Sequence, residues 1–339
     1  MLPRVSRSRT LPAKPALHPI RVTHEWARLR EVVVGNPYYR IPHPFPARLK
    51  RRIGAQTWQT IKVHEGERLA DAFPQLHARM RGQIDHVVAL LRRHGVTVHR
   101  VPRYRADEEP DRDSGGIGAL QHFPRDPWLV AGGHIIELAM ADVHRRRELL
   151  PLRRLLDRAL DTRRPRRLSM PGALATNRGP ARAPRLEGGD CLVCGREIFV
   201  GLSGRSSNRA GVAWLRAALG PDWRVTPVPL RRDVPHLDMA LGLVRPGLGI
   251  RCPRLLPAGV PKSLADWEWI EASPEEALQR LATNILPLDA RTTLIVAEAP
   301  RVADALDRRG QEVIAVPFSW VAFLGGGLRC WSHPLIREY

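Results

Sequence analysis

Gly310-Gln311-Glu312-Val313-Ile314-Ala315-Val316-Pro317 is a short apolar run stopped by a proline. The same ending occurs at Gly95-Val96-Thr97-Val98-His99-Arg100-Val101-Pro102 and at Asp222-Trp223-Arg224-Val225-Thr226-Pro227-Val228-Pro229. β-Branched residues fit a pleated surface, and proline, which has no N–H for a ladder, closes each run. Helical periodicity precedes each ending, at 84–93, 210–219 and 302–309. Other β-rich runs lie at 29–35, 134–140, 197–202, 248–253 and 292–297. The pattern is a strand pair, a helix and a strand, recurring along one chain. Units of this kind complete one another's cores, so they stack or close into a ring. A doubly wound sheet is the competing arrangement, but no glycine-rich turn opens a helix after a strand. Gly115-Gly116-Ile117-Gly118 lacks a preceding strand and reads as a mobile loop.

With 339 residues, 43% of them hydrophobic, the chain can bury a core as one large domain or two smaller ones. No apolar run approaches the roughly 18 residues that span a bilayer. The first twenty residues carry Arg4, Arg7, Arg9 and Lys14 and no acid. They read as a disordered basic extension over 1–20, with one domain at 21–339. The net charge of +20 invites a nucleic-acid reading. Its short runs, Arg145-Arg146-Arg147 and Arg163-Arg164-Pro165-Arg166-Arg167, come without a zinc finger, aromatic platform or basic heptads. Neither a nucleic-acid nor a membrane partner is therefore expected. Four scattered cysteines fit a reducing cytoplasm. Cys191-Leu192-Val193-Cys194 has metal-ligand spacing, but structural zinc wants four ligands and no second pair exists. Strand alternation explains the pair, and neither a metal nor a cofactor is expected.

Polar residues gather where the apolar segments end. Phe123-Pro124-Arg125-Asp126-Pro127 precedes one segment, Leu186-Glu187-Gly188-Gly189-Asp190 another, and Val234-Pro235-His236-Leu237-Asp238 a third. Gly325-Gly326-Gly327-Leu328-Arg329-Cys330-Trp331-Ser332 closes the series. Glycines let the backbone approach a ligand, and a cation beside a thiol favours the thiolate. Each segment alone also has a plain structural reading: a buried cysteine behind a turn, carboxylates ending a strand, a surface Arg125–Asp126 pair. Together they supply a nucleophile, an acid–base group, an orienting carboxylate and two spare anions, a set suited to covalent chemistry on a cationic substrate.

These segments resemble the arginine-dependent amidinotransferases of the guanidino-group-modifying, or pentein, superfamily. The resemblance starts at His24-Glu25-Trp26-Ala27-Arg28-Leu29-Arg30-Glu31-Val32-Val33-Val34-Gly35 and passes through Pro124-Arg125-Asp126 and Ile135-Ile136-Glu137. It continues through Glu187-Gly188-Gly189-Asp190, Ser203-Gly204-Arg205-Ser206-Ser207-Asn208 and His236-Leu237-Asp238, and ends at Gly325 to Trp331. It implies a five-bladed α/β propeller around a central site. Cys330 then matches the nucleophile, His236 the acid–base histidine and Glu187 its orienting carboxylate. Asp126 and Asp238 match the pair that grips a guanidinium. Arg205 is a candidate for the donor's α-carboxylate, a surface role being equally open, and Arg125 and Ser332 complete the substrate-binding set. The donor implied is L-arginine, the product L-ornithine and the acceptor an unidentified amine: glycine, lysine, a cyclitol amine or a precursor of a specialised metabolite such as an antibiotic. A homodimer is compatible with the resemblance. One departure stands out: Arg329 occupies the position before the cysteine, where family transferases usually carry histidine. Together with the segment from Ser332 to Glu338, it is similar to arginine deiminases, which hydrolyse the same intermediate to citrulline and ammonia. An inactive guanidino-binding protein is the non-enzyme alternative, disfavoured by an intact Cys330–His236–Glu187 set.

Overall fold

Five three-stranded sheets, all wired alike, make up the fold. The computed structural model describes residues 19–45, 47, 50–108, 121–160, 165–175, 179–180 and 182–339. Residues 1–18 of the expected extension, the 115–118 glycine run and Arg163-Arg164 lie outside them.

The first sheet holds β1 (Arg28–Val34) and β2 (Thr97–Arg100). The second holds β3 (Trp128–Ala131), β4 (His134–Glu137) and β5 (Arg166–Ser169), and the third β6 (Cys191–Cys194), β7 (Glu197–Leu202) and β8 (Arg224–Pro229). The fourth holds β9 (Leu241–Arg245), β10 (Leu248–Arg251) and β11 (Glu268–Glu271), and the fifth β12 (Leu286–Pro287), β13 (Thr292–Val296) and β14 (Glu312–Val316). The last strand, β15 (Ser332–Glu338), returns to β1 and completes the first sheet, with Arg28 opposite Glu338 and Val34 opposite Ser332. In every sheet the middle strand pairs antiparallel on one side and parallel on the other.

A parallel pair needs a crossover, usually a helix. The first crossover carries α1 (Lys50–Ile53), α2 (Ala55–Lys62), α3 (Leu69–Ala72) and α4 (Pro74–Arg93). The second carries α5 (Leu149–Leu160), and the third α6 (Arg209–Leu219). In α6 the Asn208 side chain accepts from the Gly211 amide, and Val212, Leu215 and Leu219 are buried at helical spacing. The fourth crossover has only short 3-10 turns at Pro253–Leu255 and Lys262–Leu264; α7 (Pro274–Leu278) follows β11. The fifth carries α8 (Pro300–Asp307), opened by a proline whose missing N–H costs nothing at a helix start.

The chain is a five-bladed α/β propeller, as expected, with two blades the sequence pattern did not outline. β5 reads Arg-Arg-Leu-Ser and β11 Glu-Trp-Ile-Glu, so neither is a continuous apolar run. The apolar stretch over 134–140 leaves its ladder after Glu137. The Cys191–Cys194 pair lies on β6, with Cys191 buried and Cys194 half-buried. No helix among the described residues is long and apolar enough to cross a membrane.

Candidate active site

The loops that lead into β3, β6, β9, β12 and into α9 (Leu328–Trp331) just ahead of β15 meet at one end of the blades. They bring Asp126, Glu187, His236 with Asp238, Asn284 and Cys330 to equivalent places in five sheets. A cavity of about 460 Å³ opens there, lined by Asp126, Arg145, His236 and Cys330 among polar groups and by Phe123, Met239 and Leu324 among apolar ones.

Glu187 and His236 form a tight pair. His236 Nε2 donates to Glu187 Oε2 at 2.7 Å, and the Ala141 amide holds the other Glu187 oxygen at 2.9 Å. His236 Nδ1 faces Asp126 Oδ1 at 3.7 Å. Burial opposes a charge on His236, but Asp126, Glu187 and Asp190 outweigh it and push its pKa up to about 10. Burial likewise opposes charge on Glu187, and the His236 bond and charge win, holding its carboxyl down at about 2.

Asp126 and Asp238 share a distinctive state. Asp126 Oδ2 accepts from Arg145 Nη1 at 2.9 Å, and Asp238 Oδ2 from Arg329 Nη1 at 3.0 Å. Oδ1 of each is buried and has no hydrogen bond. Arg145 is itself gripped by both oxygens of Glu148, at 2.8 and 2.9 Å. Arg329 is pinned by Glu25, at 2.9 and 3.0 Å, and by the Cys191 carbonyl at 2.6 Å.

Cys330 is 4% exposed. Its Sγ accepts from Asn284 Nδ2 at 3.1 Å and donates to Asp238 Oδ2 at 3.4 Å. Burial, then Asp238 and Asp126, push the thiol well above its ordinary pKa, and Asn284 and Arg329 pull the other way without prevailing. This corrects the expectation that the neighbouring Arg329 delivers a thiolate, because Arg329 is already paired with two carboxylates. The triple glycine does provide close approach. A Cβ on Gly326 would lie 2.3 Å from Phe123 and 2.9 Å from Cys330 Cβ, so only glycine fits that wall.

Four residues expected in the substrate set lie off the cavity lining: Asp238, which is 0% exposed, Arg205, Arg125 and Ser332. Arg205 is exposed, and its Nε donates to the Arg232 carbonyl at 2.6 Å. Arg125 is buried behind the nucleophile loop, where its Nε donates to the Arg329 carbonyl at 3.2 Å. Ser332 is fully buried and caps the turn bearing Cys330 by donating to the Leu328 carbonyl at 2.7 Å. Conversely, Arg145, Asn284 and Glu25 belong to the site's framework and were not singled out by type. Only Glu25 had a signal, its place in the N-terminal motif. Asp126, Glu187 and His236 also offer ligand atoms within 4.8 Å of one another. In this arrangement Nε2 of His236 is already committed to Glu187.

No family model matches the chain. It is similar in sequence to mitochondrial glycine amidinotransferases, with 26% identity to that of Xenopus tropicalis and to that of Gallus gallus over 94% of this chain and 83% of each relative. In structure it is similar to inosamine-phosphate amidinotransferase from Streptomyces griseus, with a TM-score of 0.77 and 24% identity over 94% of this chain and 97% of that one. An amidinotransferase of saxitoxin biosynthesis from Microseira wollei gives a TM-score of 0.77 at 23% identity, over 95% and 98% of the two chains. A dimethylarginine dimethylaminohydrolase gives 0.63 at 18% over 90% and 99%. The five-bladed propeller is thus the fold these structures share with the chain. In sequence and in fold the chain is similar to amidinotransferases.

Proposed function

We propose that the protein moves the amidino group of L-arginine to an amine through a covalent amidino-cysteine on Cys330, releasing L-ornithine. The observation that carries this reading is the pair of half-satisfied carboxylates, Asp126 and Asp238, each with one oxygen held by a chain arginine and the other buried without a hydrogen bond, that of Asp126 facing His236 Nδ1 at 3.7 Å. A buried acceptor left unpaired costs about 1–3 kcal/mol. Two of them near one thiol call for a planar, donor-rich cation, and a guanidinium presents N–H groups on both sides of its central carbon.

The electrostatics then order the steps. A bound guanidinium offsets the two carboxylates that hold the thiol neutral, so the Cys330 proton leaves to solvent. The thiolate attacks the central carbon. As the bond from that carbon to the side-chain nitrogen breaks, the His236 imidazolium gives its proton to the departing amine, and ornithine leaves. An acceptor amine returns a proton to His236, attacks the same carbon and releases Cys330. Glu187 keeps the ring oriented and charged for the first transfer. The Arg329–Cys330 pair that is similar to deiminases adds no free cation to the cavity, because Arg329 is committed to Glu25 and Asp238. The names of the structural relatives, an inosamine-phosphate amidinotransferase and one of saxitoxin biosynthesis, favour an acceptor from specialised metabolism.

Incubation with L-arginine alone tests the reading by intact-protein and peptide mass spectrometry. One amidino group should appear on the peptide spanning 325–337, with one equivalent of ornithine, and Cys330→Ala should abolish both. Addition of an amine panel should then restore turnover with ping-pong kinetics. Catalytic citrulline without an acceptor would replace transfer by hydrolysis, and an adduct on Cys191, Cys194 or Cys252 would remove Cys330 from its role.

A further inference from the structure

Asn284 stands in the loop ahead of β12, the place in the fifth blade that corresponds to Asp126, Glu187, His236 and Cys330 in the other four. The resemblance and the carboxylate pattern assign that blade nothing. Its side chain is nevertheless 1% exposed and set against the Cys330 loop, with its Nδ2 also 3.5 Å from the Asp238 carbonyl and 3.9 Å from Met239 Sδ. Oδ1 accepts from the backbone amides of Arg329 and Cys330, at 3.0 and 3.1 Å. Two N–H donors on one atom fix which end of the amide is oxygen, so the NH2 end must be the one at Cys330 Sγ, 3.1 Å away. The close approach is enforced from the other side as well: a Cβ on Gly327 would come within 2.8 Å of Asn284 Oδ1.

We propose that Asn284 is a further catalytic residue: its amide N–H is the hydrogen-bond donor that stabilises the Cys330 thiolate and aims its sulfur into the cavity. A donor to an ionised acceptor is about twice as strong as one to a neutral group, so the bond tightens when the proton leaves. The other charged groups facing the sulfur divide by sign. Asp238 and Asp126 resist ionisation, Arg329 favours it while tied to Glu25, and His236 lies across the same cavity. Asn284 is the neutral donor within hydrogen-bond reach of the thiol, and it works whether or not a substrate is bound. The inference rests on Cys330 being the nucleophile.

The test therefore reads the thiol itself. Iodoacetamide alkylation of the intact protein is followed across pH 6–10 and mapped to individual cysteines. Asn284→Asp keeps the oxygen that caps the Cys330 turn and loses the donor; Asn284→Ala loses the donor without adding charge. Both should slow Cys330 alkylation at least tenfold at pH 8 and move its profile to higher pH. A wild-type profile for Asn284→Ala would overturn the proposal, including the case where Asn284→Asp alone is slow, since its added charge would then be the cause. Unfolded variants reveal themselves by alkylation of Cys191 and Cys252. In that event the wild-type protein decides: the Asn284 side-chain amide signal of asparagine-labelled protein should move when Cys330 is alkylated, and an unmoved signal would overturn the assignment. Because arginine is absent, failure here is separate from failure of the transferase reading.

Discussion

Glu187 takes the ring of His236, while Asp190, three positions along the same turn, takes four donors: the hydroxyls of Ser206 and Ser207 and the amides of Ser207 and Leu237. Two neighbouring carboxylates thus face different demands. Burial pushes Asp190 up to about 7, although His236 and the serine bonds oppose it. It is a structural hub for the 203–208 loop rather than a group on the cavity. Replacing Glu187 by glutamine puts a donor opposite a donor and removes the charge that keeps His236 protonated. We expect Glu187→Gln to cut the chemical step by about 10²-fold or more with an unchanged thermal midpoint. Asp190→Asn leaves at least one of its four donors without an acceptor, at about 1–3 kcal/mol. It should lower the midpoint by several degrees and still form the amidino adduct. Single-turnover kinetics beside a melting curve decides; the reverse result would move the orienting role to Asp190.

At the scale of elements, the glycine approach to Cys330 is where sequence and geometry meet most closely. Gly326 packs on Phe123 and Cys330, and the same apolar cluster extends through Leu324 to Tyr39, Phe45 and Trp58 of the first crossover. A methyl group at Gly326 must push the aromatic wall or the nucleophile aside. Gly326→Ala should therefore depress adduct formation at least tenfold while costing no more than about 1–3 kcal/mol of stability, the usual range for overpacking. Full activity in that variant would show the wall to be pliable. The same elements explain what could be read in advance. Three blades were legible because an amphipathic helix and a proline-stopped apolar strand mark each of them, as in α6 with β8 and α8 with β14. β5 and β11 were not, since each mixes charged residues into four positions, and the fourth crossover offers no α-helix to announce its strand. In the site, carboxylates, a histidine and a cysteine next to glycine and proline stood out by type. Asn284 and Arg145 did not, because an amide and an arginine are ordinary residues until a fold sets them against a thiol and a carboxylate. Arg205 shows the converse: its motif drew notice, but its side chain reaches the Arg232 carbonyl instead of the cavity.

At the scale of the molecule, the site exists only when the ring is closed, because each sheet lends it one loop. Closure depends on β15, which follows Cys330 directly and pairs with β1 from Val34–Ser332 to Arg28–Glu338. Leu335 and Ile336 on that strand are 0% and 3% exposed. Burying two such side chains is worth roughly 3–6 kcal/mol, before the ladder hydrogen bonds are counted. Whole domains are stable by only about 5–15 kcal/mol, so the strand holds a large share of the margin. A chain ending at Trp331 retains Cys330, His236, Glu187, Asp126 and Asp238, yet it loses β1's antiparallel partner and exposes a sheet edge. We expect this truncation to melt without a single cooperative transition and to form no arginine adduct. Supplying 332–339 as a peptide in excess should restore part of both, since a partner that binds only the closed state shifts the equilibrium by mass action. Calorimetry with adduct mass spectrometry on the same samples makes the comparison. A truncated chain that melts cooperatively and takes up the amidino group would mean that four blades and an open seam suffice to hold the site.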